Sequence, residues 1–250
     1  MERISVQLPL PVSLPADETF DSFIDSPNSH LVSMLRQLCE AAPHWRQHPD
    51  LLSFAQQRLP LLTITGGGGR GKSHLLYAVC HTLAGNNVSH LYLNLNQVQD
   101  LSPKVLEGLE TLSFVMLDNL HAIAGVYEWE AALFDLINRV SEQPYAVILG
   151  TSQLGAASPQ FTLPDLRSRL QWGTAFSLQP LSDGQRKQAL GQRARQKGLM
   201  FSDAALQFLL NHYDRSLKSL MQLLERLDKR SLQEKKKITV ALVKRELGVN

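Results

Sequence analysis

Hydrophobic residues along this chain follow two periods, and the alternation between them predicts the architecture. Leu61-Leu62-Thr63-Ile64-Thr65, Leu112 to Asp118 and Tyr145 to Thr151 are short apolar, β-branched runs, the pattern of strands buried on both faces. Val88 to Leu95 alternates, with Tyr92 expected inward, and Thr174 to Leu178 makes a last short strand. Between these runs the spacing turns helical. Asn28 precedes an amphipathic stretch, Leu31 to Leu38, and His74 to Cys80 has helical spacing. Leu101 to Leu109 reads as a short helix and Leu163 to Leu170 as another. Glu128 to Glu142 carries Trp129, Ala132, Leu133, Leu136, Ile137 and Val140 on one stripe. Strands alternating with helices predict an α/β fold, a parallel sheet covered on both sides.

Gln179-Pro180-Leu181 breaks that rhythm, and the remainder of the chain has helical spacing only. Ser182-x-x-Gln185 is a capping box opening a helix that stops at Gly198. Ser202 caps a second helix through His212, Leu217 to Leu232 is a third, and Thr239 to Leu247 a fourth, ended by Gly248. The expected organisation is an extended tail over 1–15, an α/β domain over 16–179 and a small all-helical domain over 180–250. No internal repeat is visible.

Bulk composition narrows the classes. A chain of 250 residues with 44% hydrophobic and 19% charged residues is an ordinary globular one. A net charge of +2 is too mild to imply nucleic-acid binding by itself. Cys39 and Cys80 lack metal or redox spacing and read as buried, reduced thiols. No apolar run approaches the roughly 20 residues that span a bilayer, and the N-terminus lacks the basic and apolar regions of a signal peptide. A cytoplasmic protein without membrane contact is expected. His44 and His48 could share a helical face, but with Pro43 and Pro49 around them and no third ligand, exposed histidines are the better reading. Lys235-Lys236-Lys237 reads as a solvated turn in preference to a phosphate contact.

Candidate chemistry concentrates after the first buried strand. Gly66-Gly67-Gly68-Gly69-Arg70-Gly71-Lys72-Ser73 fits G-x-x-x-x-G-K-[ST], and His74 opens the helical run behind it. Strand, glycine loop and helix in that order make a phosphate cradle, because glycines let the backbone close round an anion and a helix N-terminus supplies positive potential. Lys72 would reach the β- and γ-phosphates and the Ser73 hydroxyl would bind Mg²⁺. Asp118 ends a buried strand 45 residues after Ser73, where an acid would hold Mg²⁺ directly or through water. The residue after it, where P-loop enzymes of this architecture usually place a second acid, is Asn119. An amide can orient water but cannot take its proton, so assistance worth roughly 10²–10⁴-fold is missing. Nucleotide binding with slow or absent intrinsic hydrolysis is expected.

An α/β P-loop domain with a C-terminal helical lid resembles the AAA+ proteins. The finer resemblance is to the bacterial replication initiator DnaA, and most nearly to the Hda family of its shorter homologues, regulatory inactivators of DnaA. It is carried by Thr19-Phe20-Asp21-Ser22-Phe23, Gly66 to Ser73, Leu117-Asp118-Asn119, Leu166-Arg167-Ser168-Arg169-Leu170-Gln171-Trp172-Gly173 and Asp214 to Leu224, and spans about residues 17–247. It implies that Phe20 and Phe23 help wall the nucleotide, that Gln153 falls at the sensor 1 position, and that Lys218 falls at sensor 2. There the family usually has Arg, whose planar fork Lys lacks. It also implies that Arg169 is an arginine finger projecting into a neighbouring subunit's site; a surface salt-bridge partner is the plainer alternative.

The tail carries Gln7-Leu8-Pro9-Leu10-Pro11. Two leucines and an amide with little competing structure form either an incidental leader or a short docking peptide. By resemblance Gln7, Leu8, Leu10 and Pro11 would bind the DNA polymerase III sliding clamp (the beta subunit), touching DNA only through it. The chain stops at Asn250, where the initiator continues into a DNA-reading domain, so sequence-specific DNA reading is not expected. The whole implies a negative regulator of replication initiation: an adaptor holding ADP, ATP or another nucleoside diphosphate, with Mg²⁺, that stimulates hydrolysis by DnaA. A self-cycling AAA+ ATPase such as a helicase loader is the rival; a P-loop small-molecule kinase is disfavoured, since no acceptor site is evident.

Overall fold

A computed structural model describes residues 14–45, 47–48, 60–97, 101–199, 201–212, 217–234 and 238–247. The tail residues Gln7, Leu8, Leu10 and Pro11 and the lysines 235–237 lie outside the described residues.

Five parallel strands form one sheet: β1 (Leu61–Thr65), β2 (His90–Asn94), β3 (Phe114–Asp118), β4 (Val147–Ser152) and β5 (Thr174–Ser177), in the order β2-β3-β4-β1-β5. The uniformly apolar runs are explained by what they face. Alternate residues Leu62, Ile64, Phe114, Met116, Val147 and Leu149 pack under α1 (Ser29–Ala41) and α2 (Lys72–Gly85). Their neighbours Leu61, Val115, Leu117 and Ile148 pack under α3 (Tyr127–Ser141) and α4 (Pro164–Trp172). Both faces are covered by helices, so both parities are mainly apolar, with the buried polar exceptions Asp118, Thr151 and Ser152 at the carboxyl ends of their strands and Thr63 within β1. Gly150 in β4 is required by a close approach: a Cβ there would stand 2.6 Å from Leu120 Cδ1.

The 101–109 stretch departs from expectation. It forms two 3₁₀ turns, Pro103–Leu106 and Leu109–Thr111, in place of one helix. Ser102 Oγ accepts from the Lys104 amide and starts the first turn, and Gly108, at φ +81°, interrupts the path between them. Asn28 sits just before α1 but does not cap it. Its Nδ2 donates to the Gln179 carbonyl (3.2 Å) and its Oδ1 accepts from the Gln179 amide (2.8 Å).

Beyond β5 the described chain is helical apart from one isolated parallel bridge between Phe201 and Ile238: α5 (Asp183–Gln196), α6 (Asp203–His212), α7 (Leu217–Glu234) and α8 (Val240–Leu247). The predicted capping box forms, with Ser182 and Gln185 exchanging side-chain and backbone bonds of 2.8 and 3.3 Å. These helices bury a separate core around Leu190, Leu209, Leu220, Leu223, Leu227 and Val243.

The segment 14–28 joins both parts. The Pro15 and Thr19 carbonyls accept from His81 and His74 of α2 (2.9 Å each). On the other side Arg193 of α5 pairs closely with Asp17 and reaches Glu18 at 3.9 Å. Gln192 donates to the Asp21 carbonyl and Gln185 to that of Ser26. No described helix is long and apolar enough to cross a membrane.

Candidate functional site

In a parallel sheet the carboxyl ends of the strands and the helix N-termini that follow them make the natural crevice. Here β1 ends at Thr65 beside Ser152 of β4 and Ser177 of β5, and β3 ends at Asp118 beside Asn94 of β2. Above these ends opens a cavity of about 570 Å³ between the glycine loop, the segment 15–24 and the helical domain.

The loop leads into α2 with Gly71 at the N-cap, φ +92°, and no capping side chain. The first-turn amides of a helix have no partner within it, so those of Lys72, Ser73 and His74 offer uncapped positive potential beside the cavity. A Cβ on Gly71 would stand 2.8 Å from Phe23 Cε2, so the loop and the segment before α1 touch at this glycine. Lys72 Nζ donates to the Gly66 and Gly67 carbonyls (2.7 and 2.8 Å). Burial pushes its pKa down, against the charge of Asp118. Arg70 turns away and donates to the Leu178 carbonyl (2.9 Å), tying the loop to the chain leaving β5.

Asp118 is almost wholly buried, and two hydroxyls serve its carboxylate. Thr151 donates to Oδ1, and Tyr92 donates to Oδ2 at 2.8 Å, with Tyr77 3.2 Å from the Tyr92 hydroxyl. Burial raises the pKa of both phenols, so they remain donors. Asn119, in the left-handed region at φ 65°, donates its amide N–H to Thr151 Oγ1 and its side-chain N–H to Asn94 Oδ1, 2.9 Å each. Its side chain is thereby turned toward β2. The Gln153 amide donates to His121 Nδ1 at 3.3 Å.

Of the residues singled out in the sequence, Gly68 to His74, Phe23, Asp118, Asn119 and Gln153 border this cavity. Gly66 and Gly67 lie behind it, serving Lys72 through their carbonyls. His74 presents an edge to Phe23 (5.3 Å between ring centroids), with its Nε2 on the Thr19 carbonyl, and burial lowers its pKa. Phe20 is a correction: it does not border the cavity but lies in the core, with the Arg36 guanidinium 4.9 Å above its ring. The 3₁₀ turn ends at Ser22, and Phe23 leaves it extended (ψ 134°), so only the second aromatic faces the loop. Lys218 is the second residue of α7, and its side chain lies outside the described part of the structure. Arg169 is half-buried on α4, away from the cavity, its guanidinium 5.8 Å from the Phe134 ring centroid. His44 and His48 are exposed.

At one end, then, Lys72, the helix-start amides, Ser73 and the buried Asp118 all border the cavity, which suits a polyphosphate with a cation. Among the described residues no cluster of three or more His, Cys, Asp or Glu could hold a metal. A divalent cation would therefore need oxygen ligands from the anion beside those of Ser73 and Asp118.

Residues 183–247 match the family model described as the Hda lid domain. Over 94% of its length the chain superposes on domain III of the replication initiation protein DnaA of Thermotoga maritima, covering 97% of that chain at a TM-score of 0.73 and 20% identity. The chain thus has the fold of DnaA domain III, and its C-terminal helices are similar to an Hda lid domain. AMPPCP-bound DnaA of Aquifex aeolicus is similar at 16% identity and a TM-score of 0.65, over 85% of this chain and 66% of that one. The Holliday junction branch migration motor RuvB of Thermotoga maritima matches at 16% and 0.66, over 94% and 72%.

The C-terminal helices and the chain leading into them supply residues that the sequence does not single out. Leu181, Ala189, Arg193, Gln196, Met221, Gln222 and Glu225 wall the cavity opposite the P-loop. Glu18, with its pKa raised by burial against the pull of Arg193, borders the same end. No motif announces these residues; their signal is the inward face of α5 and α7. Tyr77, Tyr92, Asn94 and Thr151 belong to no motif either, although the alternation in β2 does turn Tyr92 inward as expected.

Proposed function

We propose that this protein is a nucleotide-operated regulator of DnaA, in which residues 16–179 bind the nucleotide and 180–250 close over it. The single observation that carries this reading is the pairing of an Hda-type lid with a P-loop cavity whose second acid is absent. Lys72 and the first-turn amides of α2 would hold the phosphates of ADP, ATP or another nucleoside diphosphate. Ser73 and Asp118 would hold Mg²⁺, which when bound would neutralise phosphate charge. Binding of AMPPCP by the Aquifex aeolicus neighbour supports the nucleotide part. Asn119, tied to Asn94, is a poor candidate for taking a proton from water, so intrinsic hydrolysis is expected to be weak.

The finer reading is action in trans. Arg169 would enter the ATP site of DnaA and stabilise developing charge there, a role worth about 10³–10⁵-fold where a finger is supplied by a partner. Arg167, two positions before it, is committed to the carbonyls of Phe161 and Thr162, whereas among the described residues Arg169 rests on the Phe134 ring only, which supports Arg169 over Arg167 for this role. Gln7, Leu8, Leu10 and Pro11 would dock on the sliding clamp, and tethering on clamp-loaded DNA would raise the effective concentration of a weak contact. Mixing this protein, clamp, DNA and ATP-bound DnaA should release phosphate, and Arg169→Ala should abolish the stimulation while clamp and nucleotide binding persist. Brisk ATP hydrolysis by the protein alone would instead support the self-cycling ATPase.

A further inference from the structure

α4 is short, running from Pro164 to Trp172, and its N-cap residue Leu163 has no side-chain oxygen to receive the amides that open the helix. The two residues just before the helix are nevertheless pinned. Glu130, in the first turn of α3 and fully buried, accepts from the Leu163 amide at 2.6 Å and the Thr162 amide at 2.9 Å. The Thr162 hydroxyl adds a third bond at 3.0 Å, and the amide of Gly125, just before α3, a fourth at 2.6 Å. All four partners donate, so the site calls for a group that only accepts, and an ionised carboxylate is that group. It also lies at the positive end of α4, where a negative charge is favourable.

We propose that Glu130 is a positioning residue for Arg169, fixing the origin and direction of the helix that presents it. This rests on the trans reading of Arg169. Leu166 and Leu170, both buried, set which face of α4 turns inward, but an apolar stripe leaves sliding along the helix axis only loosely specified. The carboxylate supplies the missing axial stop at the start of the helix that carries Arg169. Burial alone would lift the Glu130 pKa; the bonds from Gly125, Leu163 and Thr162 outweigh it and hold it below the ordinary value. Glu130 therefore stays ionised across the working pH range.

The decisive variant is Glu130→Gln, nearly the same in shape, which sets an NH₂ against backbone amides that need an acceptor. The full chain carrying Glu130→Gln is titrated into clamp, DNA and ATP-bound DnaA, with Arg169→Ala beside it. Displacing a reacting group by about 1 Å costs on the order of 10²-fold. The maximal stimulated rate should accordingly fall by roughly that factor, with the half-saturating concentration and nucleotide affinity unchanged. Faster hydrogen exchange at the Thr162 and Leu163 amides should accompany it. An unchanged maximal rate overturns the inference, and so does a fall explained by a raised half-saturating concentration or by global unfolding in a thermal melt. If Arg169→Ala stimulates as well as the parent, it is the trans reading that falls.

Discussion

At Gly71 one missing side chain lets two functional segments meet. An alanine there must keep a left-handed backbone, a strain of about 1–2 kcal/mol, and must displace the Phe23 ring. Gly71→Ala is expected to lower unfolding free energy in urea by at least that strain. Adding Phe23→Ala should recover only the steric part, so the double variant loses less than the sum of the singles. Lys72→Ala removes the ammonium that faces Asp118, and calorimetry should then detect no nucleotide binding. His74 links pH to the same contact. Its neutral form is favoured by burial, so the folded pKa lies below the ordinary 6.5. As pH falls below that value the unfolded chain takes up a proton that the folded chain refuses. Stability should fall from there until the lower folded pKa is passed. Denaturant titrations between about pH 5 and 7.5 should show this slope, and His74→Gln should flatten it.

Among elements, the helical domain has a core of its own, to which a cap and a charge cluster add. Ser182 opens α5 through a reciprocal box, and Ser182→Ala should destabilise the protein by about 1 kcal/mol in chemical denaturation. Arg193 joins α5 to Asp17 and Glu18 across the cavity rim. Arg193→Gln should speed nucleotide release in stopped flow several-fold, with little change in the association rate, because it loosens closure and leaves the cradle intact. The elements most legible in the sequence are those whose burial is nearly complete: β1, β3, β4 and the α3 stripe match their hydrophobic runs to within a few residues. The 101–109 stretch does not, because Pro103 and Gly108 act locally while its apolar spacing mimics a helix. Likewise Asn28 carries the residue type of a cap, yet its partner is Gln179, a separation of 151 residues that no local pattern encodes.

For the molecule as a whole, the half of the cavity made by the P-loop is legible because strand, glycines and Lys-Ser are contiguous. The other half comes from α5, α7 and the segment 14–28, brought together only by tertiary packing, and so leaves no motif. This divided construction predicts a linked readout. A nucleotide that bridges both halves should raise the unfolding free energy by about 2.7 kcal/mol at a hundred times its dissociation constant, visible as a higher melting temperature that Lys72→Ala abolishes.

The strand order carries a consequence for how the chain comes to be folded. Leu61 pairs with Ile148 and Leu62 with Thr174, separations of 87 and 112 residues (148 − 61 and 174 − 62). Such distant pairings close large loops before any contact rewards them, which slows folding. During synthesis β1 emerges long before either neighbour exists, and the glycine loop has no floor until β4 and β5 have left the ribosome. Asp183, where α5 starts, lies only six positions beyond Ser177, the end of β5 (183 − 177). The first half of the cover thus follows the cradle at once, but α7 ends only at Glu234, 57 positions beyond Ser177 (234 − 177), so nucleotide can act as a folding ligand across both halves only after the cradle is complete.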